Sequence, residues 1–136
     1  MSNNLSRFAF VPAAVIILHV VCSFCYAVPS IVLDAKPQNM QLFPRGADDS
    51  ASVGIGGYFL RDTTFHVLKA EYRRNGILFA AESLLTDSSN ADTIRFYFSR
   101  KIAAELAQYS LILRADTATL FSAESLLAGD VILING

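Results

Sequence analysis

The chain has 136 residues, enough for one domain of ordinary size, and 53% of them are hydrophobic against 17% charged, which excludes an intrinsically disordered chain. Lys and Arg number 11 against 12 Asp and Glu, a net charge of −1 that argues against a nucleic-acid binder, which would need a basic face. Two Cys, no Trp and only two His leave few residues for metal or thiol chemistry.

Residues 1–7 are polar and carry Arg7; residues 8–21 (FAFVPAAVIILHVV) are apolar apart from His19; residues 23–27 (SFCYA) end on Ala27. A charged start, a short apolar middle and a small residue at the end predict a secretory signal peptide over 1–27, helical in its apolar part, cleaved between Ala27 and Val28. The apolar run is about 14 residues, short of the roughly 20 that span a bilayer. An uncleaved anchor is the alternative. A lipoprotein signal fits less well, because Val21 and Phe24 precede the two cysteines. Cleavage would remove Cys22, Cys25, Arg7 and His19, leaving an exported chain without cysteine, mildly acidic, and touching the membrane only through its leader. A secreted, periplasmic or cell-surface location follows from the leader.

From Val28 onward the pattern changes to short alternating runs bounded by turn residues, the signature of strands. Residues 30–34 (SIVLD) predict a first strand, stopped by Lys36-Pro37, and residues 39–43 (NMQLF) a second, closed by Pro44-Arg45-Gly46. A polar loop at 47–50 holds Asp48 and Asp49; solvated turn acids are favoured there over a calcium site. Residues 52–59 (SVGIGGYF) put Val53, Ile55, Gly57 and Phe59 on one face. Glycines in a strand predict a close approach by a neighbouring backbone or a bulky side chain. The run lacks the helix and Lys or Ser/Thr of a phosphate loop.

Residues 64–74 (TFHVLKAEYRR) predict a longer strand, and Asn75-Gly76 a type I′ hairpin into 77–82 (ILFAAE). Arg73-Arg74 reads as a solvated hairpin end. Residues 86–92 form a loop containing Ser88-Ser89, with no base nearby in sequence. Residues 93–98 (TIRFYF) alternate Ile94, Phe96 and Phe98 inward with Arg95 and Tyr97 outward, and 101–107 read as a loop crossing between two sheets. Tyr109, three residues after Leu106 and opening a strand, predicts a tyrosine corner, in which a phenol pins the chain to backbone a few residues upstream; an ordinary half-buried tyrosine is the alternative. Residues 111–114 and 119–124 complete the module. About seven short strands predict an all-β fold: an immunoglobulin- or fibronectin-like antiparallel β-sandwich over 28–125.

Chemistry is sparse within this module. His66 stands alone in a strand pattern, and no cofactor or metal set is visible. Tyr58, Phe59, Tyr72, Tyr97 and Phe121 are the candidates for a sugar platform, set against the commoner role of strand aromatics as core. At 128–136 (AGDVILING) the pattern changes to a continuous apolar β-branched run, which predicts a strand buried on both faces, as in a parallel α/β sheet. Residues 126–136 are therefore expected to begin a truncated second domain.

That last segment resembles the lead-in to the catalytic serine of SGNH-type carbohydrate esterases of the sialate O-acetylesterase kind, where a Gly-Asp/Glu-Val strand runs into a Gly-Gln-Ser-Asn block. Gly129, Asp130 and Val131 match the strand opening and Gly136 the first glycine of the block. Upstream, Leu42-Phe43-Pro44-Arg45, Asp48-Asp49, Val53-Gly54-Ile55-Gly56 and the stretch from Ile102 to Leu113 resemble the sandwich module that precedes this domain in exported proteins of Bacteroidetes type. The resemblance covers about residues 31–136. It implies a serine esterase acting on acylated carbohydrate, in which the apolar strand presents the nucleophile at the carboxyl end of a parallel sheet. The Ser, its His and its Asp would lie beyond Gly136, so the chain itself is expected to be a non-catalytic, structural or substrate-orienting module partnered by the esterase domain. A stand-alone cell-envelope sandwich that binds glycan or protein is the alternative.

Overall fold

The computed structural model describes residues 31–60, 65–86 and 92–130. The leader, its Ala27–Val28 cleavage point, Ser88, Ser89, the apolar run from Val131 and Gly136 lie outside these residues. Eight strands are present: β1 Ile31–Ala35, β2 Leu42–Pro44, β3 Ser50–Leu60, β4 Val67–Arg74, β5 Ile77–Leu85, β6 Thr93–Ala103, β7 Tyr109–Ala115 and β8 Ala118–Gly129. They form a three-stranded sheet of order β1-β3-β6 and a five-stranded sheet of order β2-β8-β7-β4-β5. The protein is an all-β sandwich.

Alternation builds both sheets. In β6, Ile94, Phe96 and Phe98 are buried while Arg95 and Tyr97 are exposed. In β3, Val53, Ile55 and Phe59 face inward, and in β7, Tyr109, Leu111, Leu113 and Ala115 do so. Side chains on alternate positions of a strand share a face, so each run delivers one apolar row to the core between the sheets. Phe59 lies 5.0 Å from Phe65 and 6.2 Å from Phe96, centroid to centroid, and these rings tie the start of β4 to the three-stranded sheet.

The Asn75-Gly76 hairpin is present, with φ of 50° and 80°, both in the left-handed region that a type I′ turn requires. Asn75 Oδ1 also accepts the Gln108 N–H at 2.9 Å, and the Asn75 N–H donates back to the Gln108 carbonyl at 2.8 Å, so the turn anchors the approach to β7. An added Cβ at Gly76 would meet open space, and its only cost is conformational. Gly76→Ala is therefore expected to lower stability by about 1 kcal/mol, read as a lower urea midpoint with an unchanged slope.

Several details depart from the sequence pattern. Asn39 and Met40 belong to a turn in which Met40 has φ of 60°, so the second strand is only Leu42–Pro44. That strand pairs parallel to β8, while every other pair is antiparallel. The crossing between sheets starts later than expected, because Lys101–Ala103 still pair with Ser50–Ser52. β8 runs on to Gly129, beyond the sequence-based boundary at residue 125, because Leu126 and Ala128 still fill the core. A bulge at Ser125, φ 57°, restores the inward phase of these last residues. His66 precedes β4 rather than lying within a strand.

Candidate binding face

The outward residues of the three-stranded sheet bring the exposed Tyr97 and the half-buried Tyr58 beside the charged Asp34 and Arg95. Gly56 of β3 stands directly opposite Tyr97 of β6. The Tyr97 ring lies along β3 with its Cδ2 side over Gly56 and its hydroxyl end over Gly54. A Cβ on Gly56 would come within 2.7 Å of Cδ2, and one on Gly54 within 2.8 Å of Cζ. The glycines therefore make a seat for this ring, the close approach by a bulky side chain that the run of glycines predicts. Tyr97 remains 67% exposed in that seat, so the ring presents itself to solvent rather than to the core.

Beside the ring is a cleft of about 390 Å³ lined by Asp34, Gly56, Gly57, Arg95, Phe96 and Tyr97. Asp34 is next to last in β1 and Arg95 lies near the start of β6; their carboxylate and guanidinium are 3.6 Å apart and both are well exposed. Arg95 also lies 5.7 Å from the centroid of the half-buried Tyr58 ring, a cation–π contact that holds the guanidinium across the face. The other candidate aromatics are elsewhere. Phe59 and Tyr72 are in the core, and Phe121 is half-buried beneath Lys36, 5.8 Å from its ring. Burial raises the Tyr72 phenol well above its ordinary range.

The remaining sequence-derived residues lie away from this cleft. Tyr109 opens β7, and its phenol donates to the carboxylate of Glu105, four residues upstream. The Arg74 fork grips the same carboxylate through Nε and Nη2, both at 2.7 Å. Arg74 and Tyr109 hold the Glu105 carboxyl below its usual range, and burial, reinforced by Glu105, pushes the Tyr109 phenol up. Arg73 pairs with Glu71 at 3.0 Å, so neither arginine is merely a solvated hairpin end.

Gly129 and Asp130, the described part of the esterase-like lead-in, are tied to the sandwich by Arg45. The Arg45 N–H donates to the Gly129 carbonyl at 3.0 Å, and its Nε donates to Asp130 Oδ1 at 2.8 Å. The Asp130 carboxylate in turn raises the Arg45 guanidinium above its usual value. Arg45 also reaches Asp49 at 3.0 Å, while Asp48 pairs with Lys101, which holds the Asp48 carboxyl below its usual range. The loop acids thus bond outward to two different cations. Among the described residues no group of three or more His, Cys, Asp or Glu side chains converges, and no helix is long and apolar enough to cross a membrane. His66 is exposed; its backbone N–H donates to Asp116 at 3.1 Å.

Asp34, Arg95, Glu105 and Glu71 make polar contacts of the fold and were not singled out as sites by sequence. Each works through a partner in another strand or loop, and pairing register is the signal that would have found them.

No protein-family model, no curated protein and no solved structure matches this chain. The all-β sandwich class rests on the strands themselves, and the functional reading on the residues just described.

Proposed function

We propose that this chain is a non-catalytic, exported β-sandwich module of a carbohydrate esterase of the sialate O-acetylesterase kind, with a structural or substrate-orienting role. What supports the reading is the resemblance of Gly129-Asp130-Val131 and Gly136 to the entry of the nucleophile block; the start of that segment is held by the Arg45 clamp. The clamp fixes both the backbone carbonyl of Gly129 and the side chain of Asp130. This described part of the lead-in is held to the sandwich as the end of β8 and the residue after it. The partner is then the esterase domain itself. Export rests on the leader pattern of residues 1–27.

The test is the reading frame beyond Gly136. Gln-Ser-Asn as the next three codons, followed by sequence containing an Asp and His in the order such a domain needs, supports the reading. A different sequence there removes it. Acyl transfer needs a nucleophile, a base and oxyanion donors held together. The purified chain is accordingly expected to hydrolyse p-nitrophenyl acetate and acetylated sugars no faster than a buffer blank, and turnover above that blank would contradict the non-catalytic assignment.

The second reading is a module that binds glycan or protein at the cell envelope in its own right. The exposed ring of Tyr97, seated on glycines beside a carboxylate and a guanidinium, favours it.

A further inference from the structure

We infer that the cleft between Asp34, Arg95 and Tyr97 is a binding site for one pyranose ring of a neutral carbohydrate. This goes beyond the function proposed above: it gives the sandwich a ligand class of its own and does not need an esterase domain to be present.

The Tyr97 ring is 67% exposed on the sheet face, and Gly54 and Gly56 beneath it leave the room in which it lies flat. The ring is an apolar surface with a negative face, which suits the weakly positive C–H groups on one side of a pyranose. Next to it, Gly56 and Gly57 contribute main chain to the lining of the cleft. The cleft, about 390 Å³, is shallow and open to solvent, so a sugar ring would rest on it with one face and stay accessible on the other.

The polar groups then narrow the class. Asp34 offers only acceptors and Arg95 only donors. A vicinal pair of hydroxyls can donate to the Asp34 carboxylate, while Arg95 donates to a hydroxyl or ring oxygen. The two charges stand 3.6 Å apart and offset each other, so the cleft offers no net charge to an ionised ligand. A sugar acid or a phosphate would gain from Arg95 but meet Asp34 at the same distance scale. An apolar peptide side chain would cover the ring and leave both charges to be desolvated without new partners. A hydroxyl-rimmed ring with an apolar face satisfies all three side chains at once.

The experiment titrates the full exported chain with neutral oligosaccharides (cello-, xylo-, manno- and laminari-hexaose) and, in parallel, with glucuronic and galacturonic acid oligomers, followed by ¹H–¹⁵N shift changes. The expected result is saturable perturbation by a neutral oligomer, centred on the amides of Asp34, Gly56, Gly57, Arg95 and Tyr97. Tyr97→Ala is expected to weaken binding more than tenfold, Asp34→Asn severalfold, and Tyr97→Phe little, because the ring remains. Tyr97→Phe and Asp34→Asn keep the test decisive if Tyr97→Ala fails to fold. No perturbation by any oligomer, binding that is unaltered in Asp34→Asn, or equal or tighter binding of the acidic oligomers overturns the assignment. None of these outcomes bears on the codons after Gly136, so failure here and failure of the esterase reading are separately visible.

Discussion

Gly57→Ala is expected to lower the stability of the sandwich by about 1–3 kcal/mol, the range for forcing extra atoms into a packed site. Gly57 pairs with Leu33 of β1. A Cβ there would press on the Val32 carbonyl, with the carbonyl carbon at 3.0 Å and the Leu33 Cα at 3.1 Å. Both atoms are backbone, so neither can rotate away. β1 is the outer strand of its sheet and is hydrogen-bonded only to β3, so the strain is relieved by displacing β1 as a unit. The expected signature is a lower urea midpoint together with faster amide exchange confined to β1 and the facing stretch of β3. Gly54→Ala is the control: its obstacle is the Tyr97 side chain, which can swing toward solvent. An unchanged midpoint for Gly57→Ala, or an equal loss for both variants, would contradict this account.

Glu71→Gln should produce the largest pH-dependent change. Glu71 sits on the outer face of β4 between Ala81 of β5 and Ile112 of β7, yet it is only 7% exposed. Three cations cover it: Lys69 and Arg73 at 3.0 Å and Arg114 at 3.6 Å. Hydrogen bonds from Arg73 and then Lys69 hold its carboxyl below the usual range against the opposing effect of burial. Because the folded-state value lies below the unfolded one, the stabilisation is fully present above the unfolded pKa of about 4.3. It is lost as pH falls through the folded value. Removing the charge leaves three cations gathered without their anion, at an expected cost of about 1–3 kcal/mol at pH 7. The cations remain partly solvated, which keeps the cost below that of a sealed ion pair. Urea midpoints of the wild type and Glu71→Gln are expected to differ clearly at pH 7 and to converge below pH 4. A gap that persists unchanged at pH 3 would show that shape rather than charge is responsible.

Much of the strand pattern was legible because it depends on near neighbours. The alternation of Ile94, Phe96 and Phe98 with Arg95 and Tyr97 needs only the two-residue period of a strand, and Asn75-Gly76 needs only residues that accept positive φ. The glycines of β3 signalled a close approach, although which neighbour approaches each of them was not readable. Gly54 and Gly56 seat a side chain from β6, whereas Gly57 meets the backbone of β1. Glu71 shows the same limit: in sequence it is one charged residue of an alternating strand, and only β7 brings Arg114 to it. The binding face is a third case, since Asp34 and Arg95 are distant in the chain and meet only through the β1-β3-β6 order.

By itself, then, the order of residues determined the all-β class, the position of most strands, the tight hairpin after Arg74 and the outward placement of Tyr97. Those outcomes follow from side-chain period and turn geometry, which act over a few residues. Tertiary structure alone decided the parallel docking of β2 on β8, the continuation of β8 to Gly129, the Arg45 clamp and the meeting of Asp34, Arg95 and Tyr97. Each of these is a choice of partner between remote segments, made by burial of the shared core and by the register that satisfies the most backbone hydrogen bonds, and neither quantity is written in any short stretch of the chain.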